Sequence, residues 1–383
     1  MNQEKGQLSV AQAVLMTVGA MIGSAIFSLS GVTIKQSGGW ASLAWLIAGL
    51  ILLVYGLICA NLAKFIQASG GMFLFPASLS KNKKISVTIG AISSLCYFLG
   101  CLGGTIFSAM YIGYYFGYLF PAVSPAVYPI VSIVSVLLAI GLNLLKTREA
   151  SWINSLLVAF LVLILLVYII LCVASPKAEF SQIFTSSNLP SNLGQNWSSV
   201  TVAMTAYGSI VAPVFMVGKI KNSKKNLPKI LIISMVVTIL IYVGSILSTE
   251  LSVNSLDLAQ NPEMIYSPFS LALMKIGAPV WFGSILNIGA ILALFTTEFV
   301  VMNLAGISIS VVSKALAKNT STKNIKKQIN TKSSIIIVGL ITAILSLFNN
   351  FSEIVINWGS YFNAFFVVII CITWVVVKLK MKV

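Results

Sequence analysis

Apolar stretches of about 20 residues recur along the whole chain, each separated from the next by a short polar segment. A helix of about 20 apolar residues crosses the hydrocarbon core of a bilayer, whereas barrel strands give alternating segments of only about ten residues. The pattern therefore predicts a helical membrane bundle. We predict ten spans, over residues 8–34, 39–63, 86–119, 125–145, 151–174, 196–218, 228–249, 279–312, 333–349 and 353–377.

The composition agrees with this class of protein. Of the 383 residues, 58% are hydrophobic and 8% are charged, whereas about 25% of the residues of a soluble domain are charged. The sequence is typical of an all-α integral membrane protein that has the lipid bilayer as its surroundings.

The net charge of +16 follows the predicted topology. If the N-terminus lies in the cytoplasm, every lysine and arginine except Lys35, Lys177 and Lys275 falls on the cytoplasmic side. Cytoplasmic loops of membrane proteins carry such an excess of basic residues. We therefore expect a multi-pass protein of the plasma membrane (the inner membrane of a bacterium) with cytoplasmic N- and C-termini and no nucleic-acid partner.

Residue types exclude several kinds of catalytic site. The chain has no histidine, which excludes histidine-based catalysis and His-containing zinc sites. Its one aspartate, Asp257, lies in a predicted loop, and the chain lacks the G-x-x-x-x-G-K-[ST] motif that cradles ATP phosphates. We expect no enzymatic activity, no bound metal and no cofactor. The remaining classes are a secondary transporter and a membrane protein with a sensing or protein-interaction role.

The first span places glycine and serine in its middle, in the segment GAMIGSAIFSLSG (Gly19–Gly31). Each glycine inside a helix costs about 1 kcal/mol relative to alanine. Glycine tolerates non-helical backbone, and unwound backbone at membrane depth is tolerated where it lines a cavity. The segment therefore predicts a helix that unwinds in mid-membrane. The alternative is close helix packing, which also favours small residues.

The sixth span has a similar segment, with Gly208 and Ser209 in mid-span and Pro213 after them. Ten spans divide into five and five, and an odd number of spans makes the second half enter the membrane from the opposite side. We therefore predict an inverted repeat of two halves, residues 1–174 and 175–383, in which spans 1 and 6 are discontinuous.

Two broken helices that run antiparallel suit a zwitterionic ligand. The N-terminus of a half-helix carries partial positive charge and attracts a carboxylate. The free carbonyls of the other broken helix can accept hydrogen bonds from an ammonium group. An amino acid carries both groups, so the predicted substrate is an amino acid or a related amine.

Three segments resemble signatures of the amino acid–polyamine–organocation (APC) superfamily of permeases. GAMIGSAIF (Gly19–Phe27) resembles G-x-x-I-G-x-G-I-F, with Ala25 where the family usually has glycine. SGGMFLFP (Ser69–Pro76) and KIKNSKKNLPKI (Lys219–Ile230) resemble the motifs that follow spans 2 and 6. The resemblance covers nearly the whole chain. It implies a LeuT-like five-plus-five fold and a secondary active amino-acid transporter, a permease or an exchanger (antiporter), that works by alternating access.

Within the superfamily the chain looks most like the arginine–agmatine and related amino-acid exchangers, and matching positions imply a substrate site. The substrate carboxylate would lie near the backbone of Met21, Ser24 and Ala25 in span 1. The substrate ammonium group would lie near the carbonyls of Met204, Ala206 and Tyr207 in span 6. The predicted substrate-binding residues are Met21, Ile22, Gly23, Ser24, Ala25, Met204, Ala206, Tyr207 and Gly208.

Glu298 is the ionisable residue that we place deep in a span. A charge in mid-membrane costs roughly 2.5–3.5 kcal/mol on insertion scales, so such residues usually face a cavity. Glu298 is predicted either to carry a coupled proton or to pair with a cationic substrate. The alternatives are a structural glutamate beside Thr296 and Thr297, and a sodium site between span 1 carbonyls and span 8 hydroxyls.

Two departures from the family pattern leave a second function open. Many relatives have Gly-x-Glu in span 6, whereas Gly208 is followed here by Ser209 and Ile210. Most family members have twelve spans, whereas we predict ten. A non-transporting sensor or assembly partner that retains the permease fold is therefore the alternative function.

Overall fold

Helices coincide with all ten predicted spans in the computed structural model, which describes residues 9–65, 71–144, 150–184, 193–215, 220–319, 330–348 and 352–380. Parts of the Ser69–Pro76 and Lys219–Ile230 segments and of several predicted cytoplasmic loops lie outside the described residues. The helices are α1 (Val10–Met21), α2 (Ala25–Ser28), α3 (Ser30–Ser37), α4 (Ala41–Phe65), α5 (Gly71–Ala77), α6 (Lys83–Leu119), α7 (Tyr128–Leu144), α8 (Ala150–Val173), α9 (Leu193–Tyr207), α10 (Ala212–Phe215), α11 (Ser223–Glu250), α12 (Ser255–Gln260), α13 (Pro268–Ile276), α14 (Val280–Asn319), α15 (Thr331–Leu345) and α16 (Ser352–Lys380).

Within these described ranges, seven helical segments are long and apolar enough to cross a membrane. They correspond to predicted spans 1 to 4, 7, 8 and 10. Spans 5 and 9 are shorter apolar helices, over Val158–Val173 and Thr331–Leu345. Span 6 is divided between α9 and α10. The chain is an all-helical, multi-pass membrane protein, as its sequence predicts.

The helix of span 1 is interrupted where glycine predicts a break. α1 ends at Met21, residues 22–24 are not helical, and α2 begins at Ala25. Span 6 changes less, because after Tyr207 the chain continues as a 3₁₀-helix, Gly208–Val211, before α10 begins. A 3₁₀ turn is wound more tightly than an α-helix and changes its hydrogen-bonding partners. Both spans therefore lose regular α-helical structure near their middle.

Corresponding spans of the two halves pack together in two groups. The bundle consists of α1, α4, α9 and α11, which come from spans 1, 2, 6 and 7. The scaffold consists of α6, α7, α14 and α15, which come from spans 3, 4, 8 and 9, and α16 packs on α6 and α9. Each half contributes the equivalent helices to each group, which is the arrangement of a five-plus-five inverted repeat. The exact division after residue 174 stays a prediction.

Glu250 is a buried acid that the sequence pattern did not single out. It is the last residue of α11, and its Oε1 accepts a hydrogen bond of 3.1 Å from the backbone N–H of Ser42. Ser42 lies in the first turn of α4, where N–H groups lack helical partners and carry partial positive charge. The second half of the chain therefore caps a bundle helix of the first half.

Candidate functional site

The break in span 1 is buried in the protein. Met21, Ile22, Gly23, Ser24 and Ala25 are all buried. A Cβ atom on Gly23 would overlap with Oγ1 of Thr297 on α14. Glycine is required here because the backbone lies directly against a scaffold side chain. Close helix packing, the alternative explanation for the small residues of span 1, therefore accounts for part of the role of Gly23.

Hydroxyl groups of the scaffold contact this break. The backbone N–H of Ser24 donates to Oγ1 of Thr297 at 3.0 Å. The side-chain oxygen of Ser24 lies 3.4 Å from that of Ser108 on α6. The unwound segment of the bundle is thereby joined to two scaffold helices. Ser108 is a site residue that was not predicted from the sequence. The one sequence feature that could have indicated it is a small hydroxyl residue within the glycine-rich span 3.

The sixth-span candidates face in different directions. Tyr207 is fully buried, and its ring packs against Trp45 of α4 and Tyr242 of α11, with centroids 6.1 and 5.2 Å away. Ala206 is buried, Met204 is half-buried and Gly208 is exposed. The Tyr207 ring thus lies inside the bundle, and it is the backbone at this break that adjoins the space outside the bundle.

A narrow cleft separates the bundle from α6 and α16. Thr205 of α9 donates a hydrogen bond of 3.1 Å to the Ser360 hydroxyl of α16 across it. The cleft is too narrow in this conformation to admit a water molecule. Its lining residues are uncharged and mostly small or apolar, namely Leu29, Gly100, Gly103, Gly104, Phe107, Thr205, Val355, Ile356, Gly359 and Ser360.

The protein is closed on the side of α3. The segment from α12 to α13 lies over α3, and a Cβ atom on Gly31 would overlap with the carbonyl oxygen of Ile265. Tyr114 of α6 stacks on Tyr266 of this segment, with ring centroids 3.9 Å apart. Tyr115, also on α6, donates to the carbonyl of Phe27 at 3.1 Å. The concentration of lysine and arginine in the loops of the other side predicts that this closed side faces away from the cytoplasm.

On the opposite side of the site, fewer contacts join the described parts of the bundle and the scaffold. Among the described residues, α1 packs on α8, α11 and the Gly208–Val211 turn, but makes no extensive contact with α6, α14 or α16. The Gly208–Val211 turn packs on bundle helices and α10 in the same way. A Cβ atom on Gly208 would meet no other atom within 4 Å. Among the described residues, the contacts that join the broken spans to the scaffold therefore lie at the breaks and on the α3 side.

Glu298 lies on a different face of α14 from its neighbour Thr297. It is fully buried and faces the Ser135 hydroxyl of α7. That hydroxyl donates its hydrogen to the carbonyl of Ser132 at 2.8 Å, so neither carboxyl oxygen of Glu298 has a donor among the described residues. The structure places Glu298 between α14 and α7 of the scaffold, next in sequence to Thr297 at the span 1 break. Its coupling role stays a prediction.

The groups predicted for the sodium alternative are engaged in hydrogen bonds within the protein. The carbonyl of Met21 accepts a hydrogen bond from the Tyr242 hydroxyl. Thr297 Oγ1 accepts from Ser24 N–H, and Thr296 Oγ1 donates to the carbonyl of Ala293 at 3.0 Å. The Met21 carbonyl and the hydroxyls of Thr296 and Thr297 therefore each take part in a hydrogen bond within the protein.

The chain belongs to the amino acid permease family, whose model matches residues 8–383. It is similar to the branched-chain amino acid permease BcaP of Bacillus subtilis, with 23% identity over 311 residues, covering 78% of this chain and 65% of that protein. It is also similar to an uncharacterized protein of Methanocaldococcus jannaschii, with 22% identity over 299 residues, 75% of this chain and 66% of that protein. The chain spans about two thirds of the length of these relatives. The predicted family resemblance is confirmed.

Among solved structures, Mhp1 in its inward-facing conformation resembles this chain. The TM-score is 0.58, the sequence identity is 12%, and the match covers 96% of this chain and 75% of Mhp1. An identity this low supports the fold alone. The predicted LeuT-like fold is confirmed.

Proposed function

We propose that this chain is a secondary active amino-acid transporter that works by alternating access. The observation that carries the proposal is the buried, unwound segment between α1 and α2, joined to the scaffold through Ser24, Ser108 and Thr297. Contacts of α2 and α3 with α6 and with the segment from α12 to α13 close it on one side, which supports a site that is reached from one side at a time. Membership of the amino acid permease family supports the same activity.

The proposed substrate is a neutral amino acid with an apolar side chain. The described residues that line the cleft between the bundle, α6 and α16 are all uncharged, and span 6 carries Ser209 and Ile210 in place of an acid. A cationic side chain would therefore lose its hydration without gaining a partner, which is costly. The name of the relative BcaP, a branched-chain amino acid permease, agrees with this substrate class.

The substrate is proposed to bridge the two breaks. Its carboxylate would approach the backbone N–H groups of the segment from Gly23 to Ala25. In the conformation described, Ser24 N–H is donated to Thr297, so a carboxylate at this position would exchange one acceptor for another. The ammonium group would approach carbonyls near Met204, Ala206 and Tyr207, where the helix of span 6 changes its winding.

Coupling and location complete the proposal. Glu298 is proposed to carry a coupled proton, because a buried acid without a charged partner is unusual in a span unless it has a function. The protein is proposed to lie in the plasma membrane with both termini in the cytoplasm, since the basic residues are concentrated in the loops predicted to be cytoplasmic. Exchange of substrate for substrate (antiport) is the proposed mode when no pH gradient is present.

A ligand screen followed by a transport assay tests this function. The purified protein is heated with each of the common amino acids, and a ligand that binds the folded state raises the melting temperature with concentration. We expect L-leucine, L-isoleucine and L-valine to stabilise the protein more than L-arginine or L-lysine does. Uptake of the stabilising amino acid into proteoliposomes then separates a transporter from a sensor, because a sensor binds without moving the substrate.

A further inference from the structure

The hydroxyl of Tyr242 forms a hydrogen bond with the backbone at the break in span 1. Tyr242 lies on α11 and is fully buried. Its hydroxyl donates to the carbonyl of Met21, the last residue of α1, and lies beside the backbone of Gly23. In a continuous helix the Met21 carbonyl would accept from the N–H four residues later. Because the helix stops at Met21, two other donors take that place: the N–H of Gly23 donates to the Met21 carbonyl at 2.8 Å, and the Tyr242 hydroxyl donates to the same oxygen.

The ring of the same tyrosine contacts the other break. Tyr207 is the last residue of α9 before the 3₁₀ turn, and its ring centroid lies 5.2 Å from that of Tyr242. Trp45 packs edge-on against Tyr242 at 5.1 Å. The indole N–H of Trp45 donates at 2.9 Å to the Thr33 hydroxyl of α3, the outer half of span 1. One side chain on a third helix therefore contacts both broken spans.

We propose that Tyr242 is a positioning residue of the substrate site, which holds the breaks of spans 1 and 6 at a fixed separation. This inference rests on the proposed function, because the separation matters only if one ligand bridges both breaks. The two ends of an amino acid lie at a fixed distance from each other. Backbone groups held at the matching distance before binding need no further ordering, and such preorganisation raises affinity.

Tyr242 also removes an unfavourable interaction from the proposed site. The Met21 carbonyl carries partial negative charge and lies within four residues of the N–H groups proposed for the substrate carboxylate. The N–H of Gly23 donates to this carbonyl at 2.8 Å, but the second lone pair of the oxygen would still repel that carboxylate if it had no donor. Because the Tyr242 hydroxyl already donates to it, the segment presents a more favourable environment for an anionic group.

Tyr168 provides a matched control. It is fully buried, and its hydroxyl forms a hydrogen bond of 2.8 Å with Thr249. It lies on α8, and its ring stacks on Phe269 of α13 and not on either break. Tyr168→Phe therefore removes a buried phenol oxygen and one hydrogen bond, as Tyr242→Phe does, without touching the proposed site.

The experiment compares Tyr242→Phe with Tyr168→Phe in two measurements on purified, folded protein. Equilibrium binding of L-leucine should weaken about three- to tenfold in Tyr242→Phe, the range expected for one lost hydrogen bond, and should stay within about twofold of the wild type in Tyr168→Phe. Hydrogen–deuterium exchange without substrate should be faster over residues 21–28 in Tyr242→Phe alone. Unchanged affinity and exchange in Tyr242→Phe, or equal changes in both variants, would overturn the positioning role.

The two proposals fail in different ways. If wild-type protein does not bind L-leucine, the proposed substrate class is wrong, while the exchange measurement still decides the role of Tyr242. If Tyr242→Phe does not fold, Trp45→Phe takes its place, since it keeps the Tyr242 hydroxyl but loosens the packing of its ring. Trp45→Phe should also weaken L-leucine binding and speed exchange over residues 21–28, and its failure to do either would overturn the role.

Discussion

The backbone N–H of Ser24 donates a hydrogen bond of 3.0 Å to the side-chain oxygen of Thr297. Ser24 lies in the unwound part of span 1, and Thr297 lies in the middle of α14. The bond joins the bundle to the scaffold at the proposed substrate site. An N–H that is exchanged between a protein acceptor and a ligand carboxylate would link substrate binding to the movement of one group of helices against the other.

Thr297→Val should strengthen substrate binding by about three- to tenfold, because it removes the protein acceptor that the substrate carboxylate must replace at Ser24 N–H while keeping the side-chain shape. Thr297→Ser keeps the hydroxyl and should retain near-normal affinity. The comparison is made by equilibrium binding and initial uptake rate. If valine and serine at this position behave alike, the hydroxyl has no part in the site.

Gly23→Ala should abolish substrate binding, because the added Cβ atom would overlap with Thr297 Oγ1 and displace the unwound segment. Gly141→Ala is the matched control, since a Cβ atom there meets no other atom within 4 Å. Both variants are checked for yield and elution as a single folded species before binding is measured. Normal affinity in Gly23→Ala would show that the segment is only a packing surface.

Glu298→Gln should abolish uptake driven by a pH gradient and leave exchange of substrate for substrate largely intact. Glutamine keeps the shape and some hydrogen bonding but cannot release a proton. Glu250→Gln is a second buried acid for comparison, and it should lower the melting temperature through its lost charge at the N-terminus of α4 while keeping the response to a pH gradient. Glu298→Gln with an unchanged response would leave Glu298 as a structural residue.

Cysteines introduced at Ser321 and Ser255 should react with a membrane-impermeant reagent from opposite sides of the membrane. The distribution of basic residues predicts that position 321 is cytoplasmic and that position 255, at the start of α12, is external. Labelling of intact cells and of inverted vesicles measures each side separately. Labelling of both positions from the same side would refute the ten-span topology.

The order and approximate limits of the spans could be predicted from sequence because each span is long, apolar and bounded by polar residues. The break at Gly23 could also be predicted, since glycine weakens a helix at a known position. The contact of Gly23 with Thr297 could not be predicted, because the two residues are far apart in sequence and the pairing depends on how the unwound segment between α1 and α2 packs against α14.

The orientations of the Tyr207, Tyr242 and Glu298 side chains could not be predicted from the sequence either. Tyr207 lies next to a break, yet its ring points into the bundle, because Trp45 and Tyr242 surround it there. Glu298 follows Thr297 directly in sequence, but successive residues of a helix point about 100° apart, so the two side chains face different helices. Period and composition define which residues are in a span, whereas the packing of helices decides which of them meet.

The most direct test of the proposed transport function is counterflow in proteoliposomes. Liposomes that contain purified protein are loaded with unlabelled L-leucine and diluted into a trace of labelled L-leucine, with no ion gradient across the membrane. A substrate site that opens to one side at a time predicts transient accumulation of label inside, at a level well above that of protein-free liposomes, and its loss in Gly23→Ala. Protein that binds L-leucine in the thermal screen yet shows no accumulation of label would contradict transport and favour a sensor with a permease fold.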